Sequence, residues 1–313
     1  MHKLLIHGID SLAGSNFALA LADRYAIVGA ARVACHWASC RTLVFDPCDA
    51  AALARHFEQE SPEAVIYCGP TARSAWDLPH AQPIDSAREL NTARNMSQAA
   101  AACGARFVLL STDAVFAGPR MFHDETSLVS AAGAGAELAR AVEQAVAGPH
   151  TLVVRSHIYG WSPDGVAPSF VEKLYGQLSV GASATVDARR YATPILAADL
   201  ADLVERALRA RLEGIFHITG AERANQHRFA AELAVACGLT GRQVLLAAPA
   251  EKAAARPYVE ETSLNTRGIR RALETPLPML REGLSRFAAQ AAAAREDELS
   301  AYRLPIVEHA HAA

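Results

Sequence analysis

The chain lacks several features that mark other classes of protein. Its formal net charge is only −3 and it contains no run of like charges, so a nucleic-acid binder with a basic stripe is not expected. His7, Asp10, Asp23 and Arg24 interrupt the apolar N-terminal stretch before it is long enough for a signal peptide or a membrane span. We therefore predict a cytoplasmic protein that binds a small molecule and neither nucleic acid nor membrane.

Cysteine is also scarce and irregularly placed. The six cysteines follow no spacing typical of a disulfide framework, so we expect reduced thiols. Cys35, His36, Cys40 and Cys48 lie close together in sequence, but their spacing matches no common zinc motif. The sequence therefore predicts no metal site.

What the chain does contain is a regular alternation of short apolar strands and helices over 313 residues, of which 51% are hydrophobic. Strands this apolar must be covered on both faces, and strand–helix alternation implies right-handed parallel crossovers. The pattern predicts an α/β fold: a doubly wound parallel sheet of the Rossmann type with a smaller C-terminal substrate lobe. The predicted boundary separates residues 1–160 from residues 161–313, with segment 214–219 returning to the sheet. The other predicted strands are 3–8, 26–31, 42–45, 64–68, 106–112 and 151–156.

Several segments, in order along nearly the whole chain, resemble one family. They are STDAVF with Gly118, RSHIYG (155–160), DARRYATPILAADLA (187–201), GIFHITG (214–220) and RPYVEETSLNT (256–266). In these segments the chain is similar to the dTDP-4-dehydrorhamnose reductases and their sugar-nucleotide-binding relatives, a group of extended short-chain dehydrogenase/reductases. The resemblance implies a nicotinamide cofactor on the first lobe and a nucleotide sugar under the second.

The first implied site is the phosphate-binding turn. Relatives carry G-x-x-G-x-x-G, whose middle glycine lets the backbone approach the pyrophosphate while the helix N-terminus binds its charge. Here Gly8 and Gly14 are kept, Ser11 replaces the middle glycine, and Asp10 places a negative charge beside the phosphates. Gly8, Ser11 and Gly14 thus match a site for NADP or NAD, although Asp10 and Ser11 oppose binding. Alternatively, the two glycines serve only a tight turn and close helix packing.

Two charged residues match further cofactor contacts of the family. Arg32 follows the second strand, where a basic residue favours the 2′-phosphate of NADP, and Asp46 matches an acidic residue near the adenine. Either side chain could instead be a solvated loop charge.

The resemblance also implies a catalytic set: a Ser or Thr that holds the substrate carbonyl, a Tyr that exchanges its proton, a Lys that lowers the tyrosine pKa, and an Asn that completes a water path. Thr112 matches the hydroxyl residue and Asn91 the amide. Alternatively, Thr112 bonds its own loop and Asn91 is a helix-surface amide.

The tyrosine and lysine of that set are missing. With Glu125 and Glu143 aligned to glutamates of relatives, the tyrosine position falls on Gly135 and the lysine position on Ala139. No other register helps, because residues 106–151 contain neither residue type. Since a positioned general acid contributes on the order of 10²–10⁴ in rate, ordinary ketone reduction should be very slow.

Other side chains could replace the missing acid or bind the substrate. His157 ends a strand and could face the substrate, and His123 lies on a loop that could close over the cleft, although a loop histidine is commonly solvated. Arg190, Tyr191 and Arg256 match segments that shape the sugar-nucleotide pocket, and a guanidinium suits a diphosphate. Alternatively, these arginines form ion pairs with Asp187 or Glu260.

Three hypotheses follow. The favoured one is a family member that keeps the fold and ligand cleft without standard hydride transfer, acting as a ligand-binding or regulatory subunit or in a non-redox biosynthetic step. The second is an NADP-dependent reductase or epimerase of a nucleotide sugar or other small keto substrate, with a displaced acid such as His157 or His123. The third is a structural partner in an oligomer. In all three, the Ala-rich helix near 134–147 favours a homodimer.

Overall fold

The computed structural model describes residues 2–32, 36–37, 40–78, 84–163, 165–239, 244–247, 260–292 and 303–304, with only the backbone of residues 36–37 and 303–304. The strands in chain order are β1 (Lys3–His7), β2 (Ala26–Ala31), β3 (His36–Trp37), β4 (Arg41–Val44), β5 (Ala64–Tyr67), β6 (Arg106–Thr112), β7 (Thr151–Tyr159), β8 (Ala184–Val186), β9 (Arg190–Ala192), β10 (Pro194–Leu196), β11 (Gly214–His217), β12 (Ala224–Asn225), β13 (Val244–Leu246), β14 (Glu260–Glu261) and β15 (Arg303–Leu304). The α-helices are α1 (Leu12–Leu21), α2 (Ala50–Glu60), α3 (Ser86–Ala102), α4 (Ala134–Val146), α5 (Phe170–Ser179), α6 (Ala197–Arg209), α7 (Gln226–Ala236), α8 (Arg267–Leu273) and α9 (Leu280–Ala292).

Eight of these strands form one parallel sheet, in the order β10-β7-β6-β5-β1-β2-β4, with β11 also pairing with β7. The predicted doubly wound α/β fold is confirmed. The strand order reverses between β1 and β5, so the carboxyl ends of these two strands flank the crevice in which open α/β sheets bind ligands.

Both faces of the sheet are covered, as the apolar strands require. One core cluster contains Phe17 of α1 and Val204 of α6, and the other contains Phe57 of α2, Met96 of α3 and Val142 of α4. Every residue of the nine-residue strand β7 is buried. A sheet buried on both faces positions its strand ends rigidly, which favours a binding site at that edge.

The later part of the chain both returns to the sheet and builds small sheets beside it. Strand Gly214–His217 pairs with β7 as predicted, and Pro194–Leu196, expected only as part of a short segment, pairs farther along the same strand. Strands β9, β12 and β14 form a three-stranded sheet, and β8 pairs with β13. The lobe boundary predicted at residue 160 stays a prediction. No helix in the described ranges is long and apolar enough to cross a membrane.

Candidate functional site

The turn between β1 and α1 depends on both predicted glycines. Gly8 has a φ of +74°, and a Cβ there would lie 2.2 Å from the carbonyl oxygen of Cys68. A Cβ on Gly14 would lie 2.1 Å from the carbonyl oxygen of Gly8. The alternative reading of the motif, a tight turn with close helix packing, therefore accounts for both glycines without a ligand.

Ser11 uses its side chain to complete this turn. Its Oγ donates to the Gly8 carbonyl at 2.7 Å and accepts from the backbone N–H of Gly14 at 3.0 Å, which caps α1. A helix N-terminus binds an anion through its free N–H groups, and here one of them bonds a side chain. With the Asp10 carboxyl at the same turn, these residues fit a dinucleotide diphosphate poorly.

The two other predicted cofactor residues are both exposed. Arg32 follows β2 and lies close enough to His7 for its charge to affect the histidine. Asp46 forms an ion pair with Arg88 of α3 at 2.8 Å and accepts from the backbone N–H of Cys48. That backbone hydrogen bond is the main cause that lowers the pKa of Asp46. Asp46 is thus held by α3, while Arg32 keeps the position at which a 2′-phosphate is expected.

Beside this turn, the structure shows a buried polar cluster that sequence reasoning missed. His7 stacks on Tyr67, with ring centroids 4.8 Å apart and an angle of 3°, and the Glu89 carboxyl lies next to Tyr67. We call His7, Tyr67 and Glu89 the strand-end cluster. Within the described residues, neither nitrogen of His7 has a hydrogen-bond partner, and the polar neighbour of the Tyr67 hydroxyl is the Glu89 carboxyl. The sequence did contain a signal for this cluster. His7 and Tyr67 are ionisable residues that end two apolar strands, and each is followed closely by a glycine.

Burial controls the protonation of the strand-end cluster. It lowers the pKa of His7 to about 4, helped by Arg32, and raises the pKa of Glu89 to about 7. It also raises the pKa of Tyr67, and the neighbouring Glu89 adds to that effect. His7 and Tyr67 are therefore neutral at neutral pH, while Glu89 titrates there.

The two residues matched to the family's catalytic set both form hydrogen bonds within the protein. The Thr112 hydroxyl is buried, donates to the Arg73 carbonyl at 2.5 Å and accepts from the Ala114 N–H at 3.0 Å, so it bonds its own loops. Asn91 is exposed on α3 and accepts from Arg94 at 3.3 Å. Both geometries match the alternative readings, a loop-bonded threonine and a helix-surface amide.

His157 lies at the carboxyl end of β7 and is held by a carboxylate. Its Nδ1 lies 2.7 Å from Oδ2 of Asp113, which also accepts from the Thr262 hydroxyl. The other carboxylate oxygen accepts from the Ala75 N–H at 2.9 Å, as expected for a structural acceptor. Trp76 packs edge-on against the imidazole, with centroids 4.5 Å apart. His157 and Asp113 are almost fully buried, so they form a fixed pair.

His123 is not solvated, and that alternative is wrong. The side chain is 2% exposed and stacks on Phe116 at 4.4 Å. Main-chain hydrogen bonds fix it between Ser263 and Asn265, and its own carbonyl accepts from His217. Burial lowers the pKa of His123, and it lowers that of His217 to about 3. Phe116 and the segment 263–265 therefore bury His123 and hold it in a fixed position.

Helix α4 has no proton donor at the two expected positions. Gly135 has no side chain, and the nearest atoms to an added Cβ belong to Leu78 at 3.7 Å. Ala139 is 1% exposed and packs in a cluster with Val115, Phe116 and Leu264. The position that holds a lysine in relatives is therefore occupied and surrounded by apolar side chains.

Glu143, which was used to align α4 with the sequences of relatives, has a structural role. Glu143 accepts from Arg155 through both carboxylate oxygens, at 3.0 and 2.6 Å, and from the Ser111 hydroxyl at 2.5 Å. Both side chains of the ion pair are 5% exposed. This buried pair fixes the position of α4 against β6 and β7.

The predicted substrate arginine is engaged within the protein. Arg190 forms an ion pair with Glu260 at 2.7 Å and donates to the Ala75 carbonyl at 2.8 Å, which is the ion-pair alternative. The Arg223 guanidinium stacks on the Tyr191 ring at 3.5 Å. Arg256 lies outside the described residues.

The described side chains include no group of three or more that could hold a metal ion. Cys35 and the His36 side chain, which belong to the cluster discussed from the sequence, lie outside the described residues. The cysteines that the structure describes are free thiols: Cys40, Cys48, Cys68, Cys103 and Cys237.

Solved structures share this fold over nearly the whole chain. A dTDP-4-dehydrorhamnose reductase from Bacillus anthracis str. Ames, in complex with NADP, aligns with a TM-score of 0.73 at 18% identity and covers 92% of this chain and 99% of its own. The enzyme WbmH from Bordetella bronchiseptica, in complex with NAD⁺, gives 0.74 at 18% identity, covering 95% and 99%. A UDP-glucose 4-epimerase from Thermotoga maritima, with UDP-glucose, gives 0.75 at 14% identity, covering 94% and 100%.

Sequence comparison gives a more specific result than these distant structures. None of the curated proteins matches the chain. The family model described as the RmlD substrate binding domain, however, matches residues 2–293. The chain therefore belongs to the RmlD substrate-binding domain family, the dTDP-4-dehydrorhamnose-reductase-like proteins.

Proposed function

We propose that this chain binds a nucleotide sugar or a related small molecule in the strand-end cleft and does not carry out hydride transfer by the tyrosine–lysine route. It acts as a ligand-binding or regulatory subunit, or in a non-redox step of a biosynthetic pathway. The observation that carries the proposal is α4, which has Gly135 and a buried Ala139 at the two positions where relatives need an acid and a cation.

The remaining groups do not restore that chemistry. A tyrosine near its ordinary pKa of ~10 needs a cationic neighbour to work at neutral pH. Tyr67 has no such role, since burial raises its pKa further. The Thr112 hydroxyl already donates to a main-chain carbonyl and has no second proton to offer a substrate.

We propose that the dinucleotide also binds more weakly here than in relatives. Ser11 bonds the helix N–H of Gly14, and Asp10 brings a carboxylate to the turn, so a diphosphate meets fewer donors and a like charge. Arg32 supports a residual preference for NADP over NAD. We derive no reaction step that depends on this cofactor.

The substrate-binding segment retains a side chain suited to binding a diphosphate. By sequence matching, Arg190 belongs to a segment that shapes the sugar-nucleotide pocket in relatives, and the side chain of its partner Glu260 is 52% exposed. A diphosphate can replace an exposed carboxylate on such a guanidinium, because both anions form paired hydrogen bonds with it. This exchange supports a nucleotide sugar as the ligand.

A second candidate function is favoured by the pair of His157 and Asp113. A carboxylate bonded to Nδ1 orients an imidazole, the arrangement found where histidine acts as a general base. In this reading the chain is a reductase or epimerase with a displaced acid–base residue. His157→Gln should then abolish turnover while ligand binding persists.

One titration separates these functions. The chain is titrated with NADPH and with a dTDP-linked 4-keto sugar, each followed by calorimetry, and NADPH absorbance is then monitored with both present. Sugar-nucleotide binding without NADPH consumption supports the main proposal. NADPH oxidation at a rate typical of enzymes, on the order of 1–10³ s⁻¹, overturns it. If neither compound binds, a structural role in an oligomer gains support.

A gain-of-function variant tests whether only α4 has changed. Gly135→Tyr combined with Ala139→Lys restores the expected pair, and the Cβ added at Gly135 would lie in ordinary contact with Leu78, at 3.7 Å. Reductase activity in this variant would show that the rest of the site is competent, whereas an inactive folded variant agrees with the altered phosphate turn. Gly135→Phe with Ala139→Met is the matched control, because it adds similar volume without an acid or a cation.

The proposed homodimer through α4 is checked by light scattering of the same samples.

A further inference from the structure

A separate cavity of about 710 Å³ lies between the loop at Phe122 and the segment 264–276 that contains α8. Small-molecule sites are typically roughly 300–1,000 Å³, so the cavity has the size of one ligand. Leu264, which forms a parallel bridge with His123, is part of its lining. Neither the strand-end cluster nor His157 lines it, so we call it the outer cavity.

Positive charge dominates the outer cavity, although the whole chain is slightly acidic. Arg267, Arg270 and Arg271 line it, against a single carboxylate, Glu274. All three arginines are exposed, and within the described part of the chain none of their guanidinium groups forms an ion pair or hydrogen bond. The lining therefore offers three uncommitted cations to a ligand.

The spacing of these arginines disfavours the helix unless an anion binds. Residues three and four apart lie on the same helix surface, and like charges there are destabilising. Cations in the last turn interact favourably with the helix dipole, which accounts for Arg270 and Arg271. It does not account for Arg267 at the first position of α8, which brings a third like charge to the same surface.

The opposite wall presents an aromatic ring. Phe122 is 43% exposed and has a φ of +53°, a left-handed conformation that is costly for a bulky residue. Its backbone N–H donates to the Ser263 hydroxyl at 2.9 Å, which holds it in this conformation. The fold thus maintains a strained backbone that keeps a phenyl ring at the cavity instead of in the core.

We propose that the outer cavity is a second ligand site, which binds a nucleoside polyphosphate outside the strand-end cleft. Guanidinium groups bind phosphate oxygens in pairs, and a base can stack on an exposed aromatic ring. The two walls match the two halves of such a molecule, with Phe122 for the base and the arginines for the phosphates. A cavity of this size and a chain of net negative charge fit one nucleotide and not a nucleic acid.

The test measures binding of ATP, inorganic triphosphate and adenosine to the full chain by calorimetry. ATP should bind more tightly than either fragment, because each fragment meets only one wall. Arg270→Gln with Arg271→Gln should weaken ATP binding by at least about tenfold, and Phe122→Leu by about tenfold, the low end of the usual effect of losing a base–aromatic stack. Arg55→Gln with Arg211→Gln, two exposed arginines elsewhere, is the matched control and should bind ATP like the unchanged chain.

Three results would overturn the proposal. The first is the absence of ATP binding. The second is ATP binding that the Arg270 and Arg271 substitutions leave unchanged, which would place the nucleotide elsewhere. The third is triphosphate binding as tightly as ATP with no effect of Phe122→Leu, which would reduce the cavity to a general anion patch. Circular dichroism of each variant confirms that a loss of binding is not a loss of fold.

Discussion

Glu89→Gln tests the protonation of the strand-end cluster. The Glu89 carboxyl is 6% exposed and faces the Tyr67 hydroxyl, with His7 stacked behind Tyr67 and the Arg32 guanidinium close by. Burial raises its pKa from an ordinary 4.5 to about 7 in the folded chain. Because the folded pKa lies above the unfolded one, the folded state holds a proton that the unfolded state loses. Stability should therefore fall as the pH rises from 4.5 through about 7.

The magnitude follows from these two pKa values. Linkage gives a loss of about 2.5 kcal/mol in the free energy of unfolding between about pH 5 and about pH 8, from this group alone. Glutamine cannot titrate, so the variant should lack this loss and gain about 2.5 kcal/mol on the unchanged chain over the same interval. His7 titrates in both proteins, and its contribution cancels in the difference.

The assay is urea unfolding followed by circular dichroism, at several pH values across this range, for the unchanged chain and the variant. Glu58→Gln, on the exposed side of α2, is the matched control and should run parallel to the unchanged chain. If the difference between Glu89→Gln and the unchanged chain stays constant across the pH range, Glu89 does not hold a proton in the folded state and the reasoning is wrong.

Three further substitutions test the packing of the site. Glu143→Gln leaves the buried Arg155 without its charged partner and should lower the free energy of unfolding by about 3–5 kcal/mol, measured in urea; a loss below about 1 kcal/mol would contradict a buried, desolvated pair. Gly14→Ala places a Cβ against the Gly8 carbonyl, whose main chain cannot move aside cheaply, and should cost about 3 kcal/mol in the same assay. Ser11→Ala removes the cap of α1 and should cost about 1 kcal/mol, while Ser11→Gly, a milder change of the cap, should cost less; no loss in Ser11→Ala would show that the hydroxyl does not stabilise the helix.

The sequence predicted most of the main sheet, because each strand carries its own apolar run between helical segments. Prediction was less accurate where side chains set the boundaries. Helix α1 begins at Leu12 because the Ser11 side chain caps it, a boundary that the apolar pattern does not show. Strand β10 joins the sheet although only three residues long, since β7 extends to Tyr159 and offers it an edge. Tyr159 packs against Phe229, with ring centroids 5.1 Å apart.

The sequence predicted which residues the candidate site lacks better than it predicted the hydrogen bonds of the residues that are present. The missing tyrosine and lysine can be read directly from residues 106–151. The partners of the residues that remain cannot be read in this way. Thr112, Asn91 and Arg190 all matched family positions. In the structure each of them bonds another protein group, which competes with a ligand for that side chain. The sequence alone does not show these bonds. Hydrogen-bond competition of this kind depends on distances of a few tenths of an ångström.

The sequence by itself determined the parallel α/β fold, the family and the absence of Tyr and Lys from residues 106–151, because periodicity, ordered motifs and residue identity are all local properties of the chain. Only the tertiary structure decided that His7, Tyr67 and Glu89 meet, that His157 is bonded to Asp113, and that three arginines face Phe122 across a cavity. These groups come from elements far apart in the chain, and their burial and pairing exist only once the sheet and its helices have packed.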